Sequence, residues 1–329
     1  DPLPLVVPLP LLEPPLLPQV ALPRAEARAL LSAPRIAVLV VAYNRPRYLD
    51  RALSSLYQMH PGGANFPVFV SQDGENAEVS AIVAKHGATR MVHSRVTLEL
   101  PKDLPYLKKA PGYAYLSVHY GWAIRQLFGD GTRFEGVILL EEDIEVGIDF
   151  FGYFNATAPL LYEDPSLLCV SGYSDNGQER YAHNATRLFR SDFFPGLGWL
   201  LSRKLWVELD RKWPENRGFW DDWLREPPQR RGRASIRPEL SRTRTFGEVG
   251  TSKSQFYRQY LSTIRLTTTY VRWDEVDVSY LLKDAYDVAF AAKVAAAREV
   301  SVVEALAAGA GEDGELRLSY SSARELKQL

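Results

Sequence analysis

Two carboxylate clusters in this 329-residue chain have the residue types and setting for chemistry on a diphosphate-bearing substrate. The first is Glu141-Glu142-Asp143, which directly follows the apolar run Gly136-Val137-Ile138-Leu139-Leu140. Hard divalent cations take carboxylate oxygens and keep positions open for phosphate oxygens, so acids at the rim of a buried strand suit a metal–diphosphate site. The same triplet equally describes a solvated acidic loop. The second cluster is Phe219-Trp220-Asp221-Asp222-Trp223. Aromatic walls lower the local dielectric and so tune a carboxylate as a general base, while flat rings suit sugar faces. Taken alone, it also reads as an aromatic core corner with an Asp capping a helix. A third group is Gln229-Arg230-Arg231-Gly232-Arg233 with Arg237, Arg242 and Arg244. Its guanidinium forks suit phosphate or carboxylate, or form a solvated face.

Other motifs carry less. Gly247-Glu248-Val249-Gly250-Thr251-Ser252-Lys253-Ser254 has a superficial likeness to a phosphate-binding loop. It lacks Gly immediately before the Lys and follows no buried strand, so it reads as a mobile loop. His119 falls mid-helix among Ala114, Val118, Trp122 and Ala123, the setting of a packed histidine. There is no Gly-rich dinucleotide fingerprint, nucleophile elbow or His-Glu-x-x-His.

The elements that must position these groups alternate. Apolar runs at 36–42, 67–72, 136–140 and 167–170, with a short one at 90–93, read as strands. Helical patterns occupy 47–57, 77–86, 112–128 and 149–161. Strands alternating with helices predict an α/β fold with a mainly parallel, doubly wound sheet, whose ligands bind beyond the carboxyl ends of the strands. Asn44-Arg45, Asp73 and the acidic triplet all follow strands there, so a single shared site is the expectation. Residues 1–34, dense in proline, read as a stem or linker. The catalytic domain is expected over 35–265 and a shortened C-terminal domain over 266–329.

Composition bounds the function class. With 39 basic and 40 acidic residues the net charge is -1, which gives no footprint for nucleic acid or a membrane surface. The one cysteine, Cys169, lies in an apolar run and excludes a disulfide framework or a cysteine metal site within the chain. Two glycosylation tripeptides, Asn155-Ala156-Thr157 and Asn184-Ala185-Thr186, are compatible with a secretory lumen, though such tripeptides also arise by chance. Asn155 falls inside an expected helix. No apolar run is long enough to span a bilayer, and the first residue is Asp, so an anchor upstream of this chain stays open.

These clusters, in this order, resemble the N-acetylglucosaminyltransferase I family of Golgi glycosyltransferases. The segments that carry the resemblance are ILLEEDIEVGIDFFGYFNATAPLL, DPSLLCVSGYSDNGQ, RSDFFPGLGWLLSRKLW and FWDDWLREPPQRRGRASIRPELSRTRTFG, and it extends from about Ile36 to near the C-terminus. The resemblance implies a nucleotide-binding domain of the glycosyltransferase A type that uses UDP-N-acetylglucosamine and Mn²⁺. Asp143 would hold the metal, and Glu141 and Glu142 would lie against the uridine, ribose and sugar. The family motif usually reads Glu-Asp-Asp, so Glu142 is a departure. Arg45, Asp73 and His119 would contact uridine, Asp221 would be the catalytic base, and Thr251 and Ser252 would belong to a loop closing over the donor.

The implied reaction is inverting transfer to the 2-hydroxyl of the α1,3-linked mannose of a high-mannose N-glycan, in the Golgi lumen, by a protein anchored through a segment missing from this chain. Family members carry several disulfides; here only Cys169 has a counterpart, with Ser235 at its partner position. An O-mannose-directed transferase and a non-catalytic sugar-binding protein are the alternative readings.

Overall fold

The computed structural model describes residues 22–248, 250, 257–307, 316–322 and 324. The first apolar run forms β1 (Ile36–Ala42), buried at every position. Unbroken apolarity is what a strand covered on both faces requires, and its valines suit a pleated surface. β2 (Val68–Asp73) and β4 (Gly136–Glu141) flank it in parallel, with β3 (Thr89–His93) parallel beyond β2. The sheet continues from β4 through β8 (Trp199–Ser202), β6 (Leu167–Ser171), β9 (Ala234–Pro238) and β7 (Leu188–Ser191), giving eight strands. β6 and β9 are parallel to one another; β8 and β7 pair antiparallel with their neighbours. The expected α/β fold with a mainly parallel sheet is therefore present. A two-stranded ribbon, β5 (Ile144–Val146) with β10 (Thr243–Thr245), stands beside it.

Alternate residues of β1 feed cores on opposite faces. Val38 and Val40 meet Leu49 and Leu53 of α2 (Pro46–Met59) and Val79 and Val83 of α3 (Ala77–His86). Ala37 and Leu39 share the other core with Ile124 and Leu127 of α4 (Gly112–Phe128) and Leu205 and Leu209 of α7 (Arg203–Asp210). Each such valine, leucine or isoleucine side chain, taken from water, contributes about 1.5–3 kcal/mol.

Three features differ from the reading of the sequence. The stretch between Pro23 and Pro34 has no proline, and it folds as α1 (Arg24–Leu30), with Ala27 buried in the β1 core. Residues 1–21 lie outside the described set. The helix expected over 149–161 is two, α5 (Phe150–Thr157) and α6 (Leu160–Glu163), because Pro159 has no N–H to continue the ladder. Finally, Val271, Trp273, Val278 and Leu281 join the same core as β1, so the fold continues across the boundary expected at 265/266. The helix that follows, α10 (Lys283–Ala296), has no buried residue.

Cys169 is buried on β6, and burial pushes its thiol up to about 12, which leaves it inert. Its neighbour on β9 is Ser235, with Sγ and Oγ 3.4 Å apart. Ser235→Cys is expected to close a disulfide under oxidation and add about 2–4 kcal/mol of stability. Denaturation curves with and without reductant check this; coincident curves would refute it.

Candidate active site

Parallel pairing of β1 with β2 and β4 brings the loops after these strands to one rim. Glu142 turns back toward the β1 loop. Its Oε2 accepts the Tyr43 backbone N–H at 3.0 Å, and its Oε1 accepts from Arg45 Nε at 2.6 Å. Arg45 Nη1 also donates to Asp143 Oδ2 at 2.9 Å, so one guanidinium bridges the second and third acids. Glu142 is 3% exposed, and burial raises its carboxyl above the ordinary range despite the opposing pull of Arg45. Glu141 faces α4 instead, where the Tyr120 hydroxyl donates to its Oε1 at 2.9 Å. Burial, and then the charge of Asp143, push the Glu141 carboxyl up to about 7. Near neutrality it can donate as well as accept, which suits a sugar hydroxyl.

Asp143 is covered from the ribbon side. The Phe246 N–H donates to the Asp143 carbonyl at 2.9 Å, and a Cβ added at Gly247 would stand 2.0 Å from Asp143 Oδ2. Only glycine lets the chain pass there without a shift.

The β2 end is a second half of the same rim. Asp73 Oδ1 lies 2.8 Å from His93 Nδ1, and Oδ2 accepts from Arg95 Nη1 at 2.7 Å. The Arg95 guanidinium sits between the rings of Tyr43 and Tyr115, 4.1 and 4.0 Å from their centroids. The His93 ring stacks on His119 at 5.4 Å, and His119 Nε2 lies 2.7 Å from Ser71 Oγ. His119 is buried; desolvation first, then the charges of His93 and Arg95, pull it down to about 3, so its ring is neutral at physiological pH. Tyr43, Asp73, Glu75, His93 and Arg95 line a cavity of about 430 Å³.

Asp221 approaches from a different element, α8 (Trp220–Arg225). Trp220 anchors that helix, its ring 5.9 Å from both Trp199 and Trp213 and 4.6 Å from Tyr120. Tyr120 therefore supports both carboxylate clusters, with its hydroxyl on Glu141 and its ring against Trp220. The Asp221 side chain is 42% exposed, and its Oδ2 accepts from Arg225 Nη1 at 3.1 Å; Asp222 Oδ1 shares the same nitrogen at 2.7 Å.

The structure brings Arg45, Glu142 and Asp143 into direct contact and places Asp73 with His119 through His93. Thr251 and Ser252 lie outside the described residues. The arginine run mostly serves structural pairs: Arg233 with Glu208, Arg242 with Asp149, Arg244 with Glu145. Reading the sequence missed His93, Arg95 and Tyr120. His93 ends the third strand, so the strand-end rule that selected Asp73 reaches it too. Nothing in the sequence marks Arg95 or Tyr120.

Among the described residues no three His, Cys, Asp or Glu side chains gather into a metal cage. One partly exposed carboxylate at a strand end nevertheless fits a hard cation that takes most of its ligands from substrate phosphate and water. Asp143 is that carboxylate, with Arg45 as its present counter-charge.

The chain is 38% identical over 302 residues to an Arabidopsis thaliana protein, "Alpha-1,3-mannosyl-glycoprotein 2-beta-N-acetylglucosaminyltransferase", in a match covering 90% of this chain and 66% of that protein. It thus spans just under two thirds of that relative's length. Solved structures similar in course include a mannosyltransferase from Pyrobaculum calidifontis in complex with GDP-Man and Mn²⁺ (15% identity, TM-score 0.42, 87% of this chain and 86% of that one). Another is S. aureus TarS 1–349 (16% identity, TM-score 0.41, 62% and 58%). Likeness at that level transfers no residue roles. The GNT-I family, by contrast, is matched from residue 19 to 329, across both carboxylate clusters and the strand-end rim, and the chain belongs to that family.

Proposed function

We propose that this chain transfers N-acetylglucosamine from UDP-N-acetylglucosamine to the 2-hydroxyl of an α1,3-linked mannose on an N-glycan, with inversion, in the lumen of the Golgi. The observation that carries the reading is the unbroken polar rim: Asp73–Arg95–Tyr43–Glu142–Arg45–Asp143 runs by direct contacts across the ends of three strands. Family membership and the name of the relative supply the substrate class. Arg45, Asp73 and the neutral His119 would take the uridine end, and Glu141 and Glu142 the ribose and sugar. Asp73 is already paired with Arg95, so the base must share that pair or displace it. Thr251 and Ser252 would close over the bound donor.

Asp143 would hold Mn²⁺ together with the donor diphosphate. When bound, the ion neutralises charge on the departing UDP. Asp221 accepts the proton of the mannose hydroxyl as its oxygen attacks the anomeric carbon on the face opposite the diphosphate. The C–O bond to UDP breaks as the new glycosidic bond forms, and direct displacement turns an α-linked donor into a β product. Trp220, packed on the same Tyr120 whose hydroxyl binds Glu141, ties α8 to the acidic triplet.

Asp143→Ala is expected to weaken UDP-N-acetylglucosamine binding in Mn²⁺ by at least about tenfold, or ~1.4 kcal/mol, in a calorimetric titration. Equal affinities for the two proteins count against the metal role. Transfer assays offering a high-mannose N-glycan and an O-mannosyl peptide test the acceptor, and transfer confined to the peptide sinks the N-glycan assignment.

A further inference from the structure

The two glycosylation tripeptides have unlike surroundings. Asn155 belongs to α5, and Thr157 is fully buried, its hydroxyl donating to the Tyr153 carbonyl at 2.8 Å. That hydroxyl is committed to the helix backbone and points into the core. Asn184 and Thr186 are both exposed, in the loop that leads into β7. Asn184 Oδ1 accepts the Thr186 N–H at 2.9 Å, the Thr186 hydroxyl at 2.9 Å and the Arg187 N–H at 3.1 Å. The loop is gripped from beneath. Glu239 Oε1 accepts the N–H groups of His183 and Asn184, each at 2.8 Å, and Arg242 donates to the Ala185 carbonyl.

We propose that Asn184 is an N-glycosylation site of this protein and that Asn155 is not. Three donors on Oδ1 stabilise charge drawn onto that oxygen, which loosens the protons of Nδ2. The turn is closed by contacts two and three residues ahead, so a nascent chain can adopt it before the fold exists. A glycan on Asn184 projects into solvent, and the anchors on Glu239 and Arg242 use backbone groups that a glycan leaves untouched. In the step itself, Nδ2 attacks C1 of the reducing sugar of a polyprenyl-diphosphate oligosaccharide. A C–N bond forms and the C1–O bond to the diphosphate breaks. The diphosphate leaves with the bonding pair, and one Nδ2 proton passes to a base of the transferring enzyme. The inference rests on the secretory part of the function proposed above.

The test uses the full chain directed by an added leader into the secretory pathway of a eukaryotic host. Intact mass is measured before and after enzymatic release of N-glycans. The wild type and Asn155→Gln are expected to lose one glycan, while Asn184→Gln and Thr186→Ala carry none. Thr186→Ala keeps Asn184 and both backbone donors, so it reads the site even where Asn184→Gln fails to be secreted. A secreted wild type without glycan, or with glycan on Asn155 alone, overturns the assignment. Transfer from UDP-N-acetylglucosamine is assayed on the same secreted wild type. Glycan without transfer upholds this site and sinks the catalytic reading; transfer without glycan does the reverse.

Discussion

Asp221→Asn is expected to lower turnover by about 10²–10⁴-fold, the usual worth of a positioned general base, while leaving donor affinity close to wild type. The amide has the same shape but cannot take the acceptor proton. The structural cost is small, because the side chain is 42% exposed and its pair with Arg225 is a surface one, worth at most ~1 kcal/mol. Asp222→Asn is the control. Asp222 binds the same Arg225 nitrogen but is 68% exposed, so loss of the ion pair alone is common to both variants. If the two variants turn over equally, or Asp221→Asn is undiminished, the base is elsewhere. The measurements are kcat with a mannoside acceptor and, separately, the Kd for UDP-N-acetylglucosamine.

The second large effect is on stability. Asp149 and Arg242 form an ion pair with both side chains fully buried. Asp149 Oδ1 and Oδ2 accept from Arg242 Nε and Nη2 at 3.2 and 3.0 Å, and Oδ2 also accepts from Trp273 Nε1 at 2.7 Å. The guanidinium lies over the Tyr153 and Trp273 rings, 5.5 and 5.0 Å from their centroids. Asp149→Ala leaves Arg242 charged in that interior with, among the described residues, the carbonyls of Leu240 and Ala185 as its remaining hydrogen-bond acceptors. Stranding one partner of a buried pair costs about 3–5 kcal/mol, and denaturant unfolding should read a loss of that size. A loss below about 1 kcal/mol would show that water reaches the site or that the pair is dispensable. Adding Arg242→Met to the same chain should recover part of the loss, since removing both charges removes the uncompensated one.

Much of this architecture was legible because burial on two faces leaves a plain trace. β1 and β4 are unbroken apolar runs, and the polar residues directly after them had to be at a rim. That rule found Arg45 and the acidic triplet, and applied to the end of β2 it found Asp73. It could not say which acid does what, since that depends on where each side chain points: Glu141 toward Tyr120, Glu142 back to the Tyr43 amide. One carboxylate, that of Glu142, meets both the Tyr43 N–H and Arg45. The insertion of β8 between β4 and β6 was invisible too, because strand order is fixed by packing across the sheet and not by sequence proximity. Arg95, held between Tyr43 of the loop after β1 and Tyr115 of α4, is legible only once those elements are placed.

The β5–β10 ribbon has a consequence for the order in which the protein is made. Asp143 and Glu145 leave the ribosome about a hundred residues before Phe246 and Arg244, which bind them. Closing that span costs roughly 3 kcal/mol more than closing a four-residue hairpin. A nascent chain paused between β5 and β10 thus has its strand-end acids synthesised without the segment that covers them. The rim is roofed only when Gly247 arrives, after Asp221 on α8 has already been synthesised.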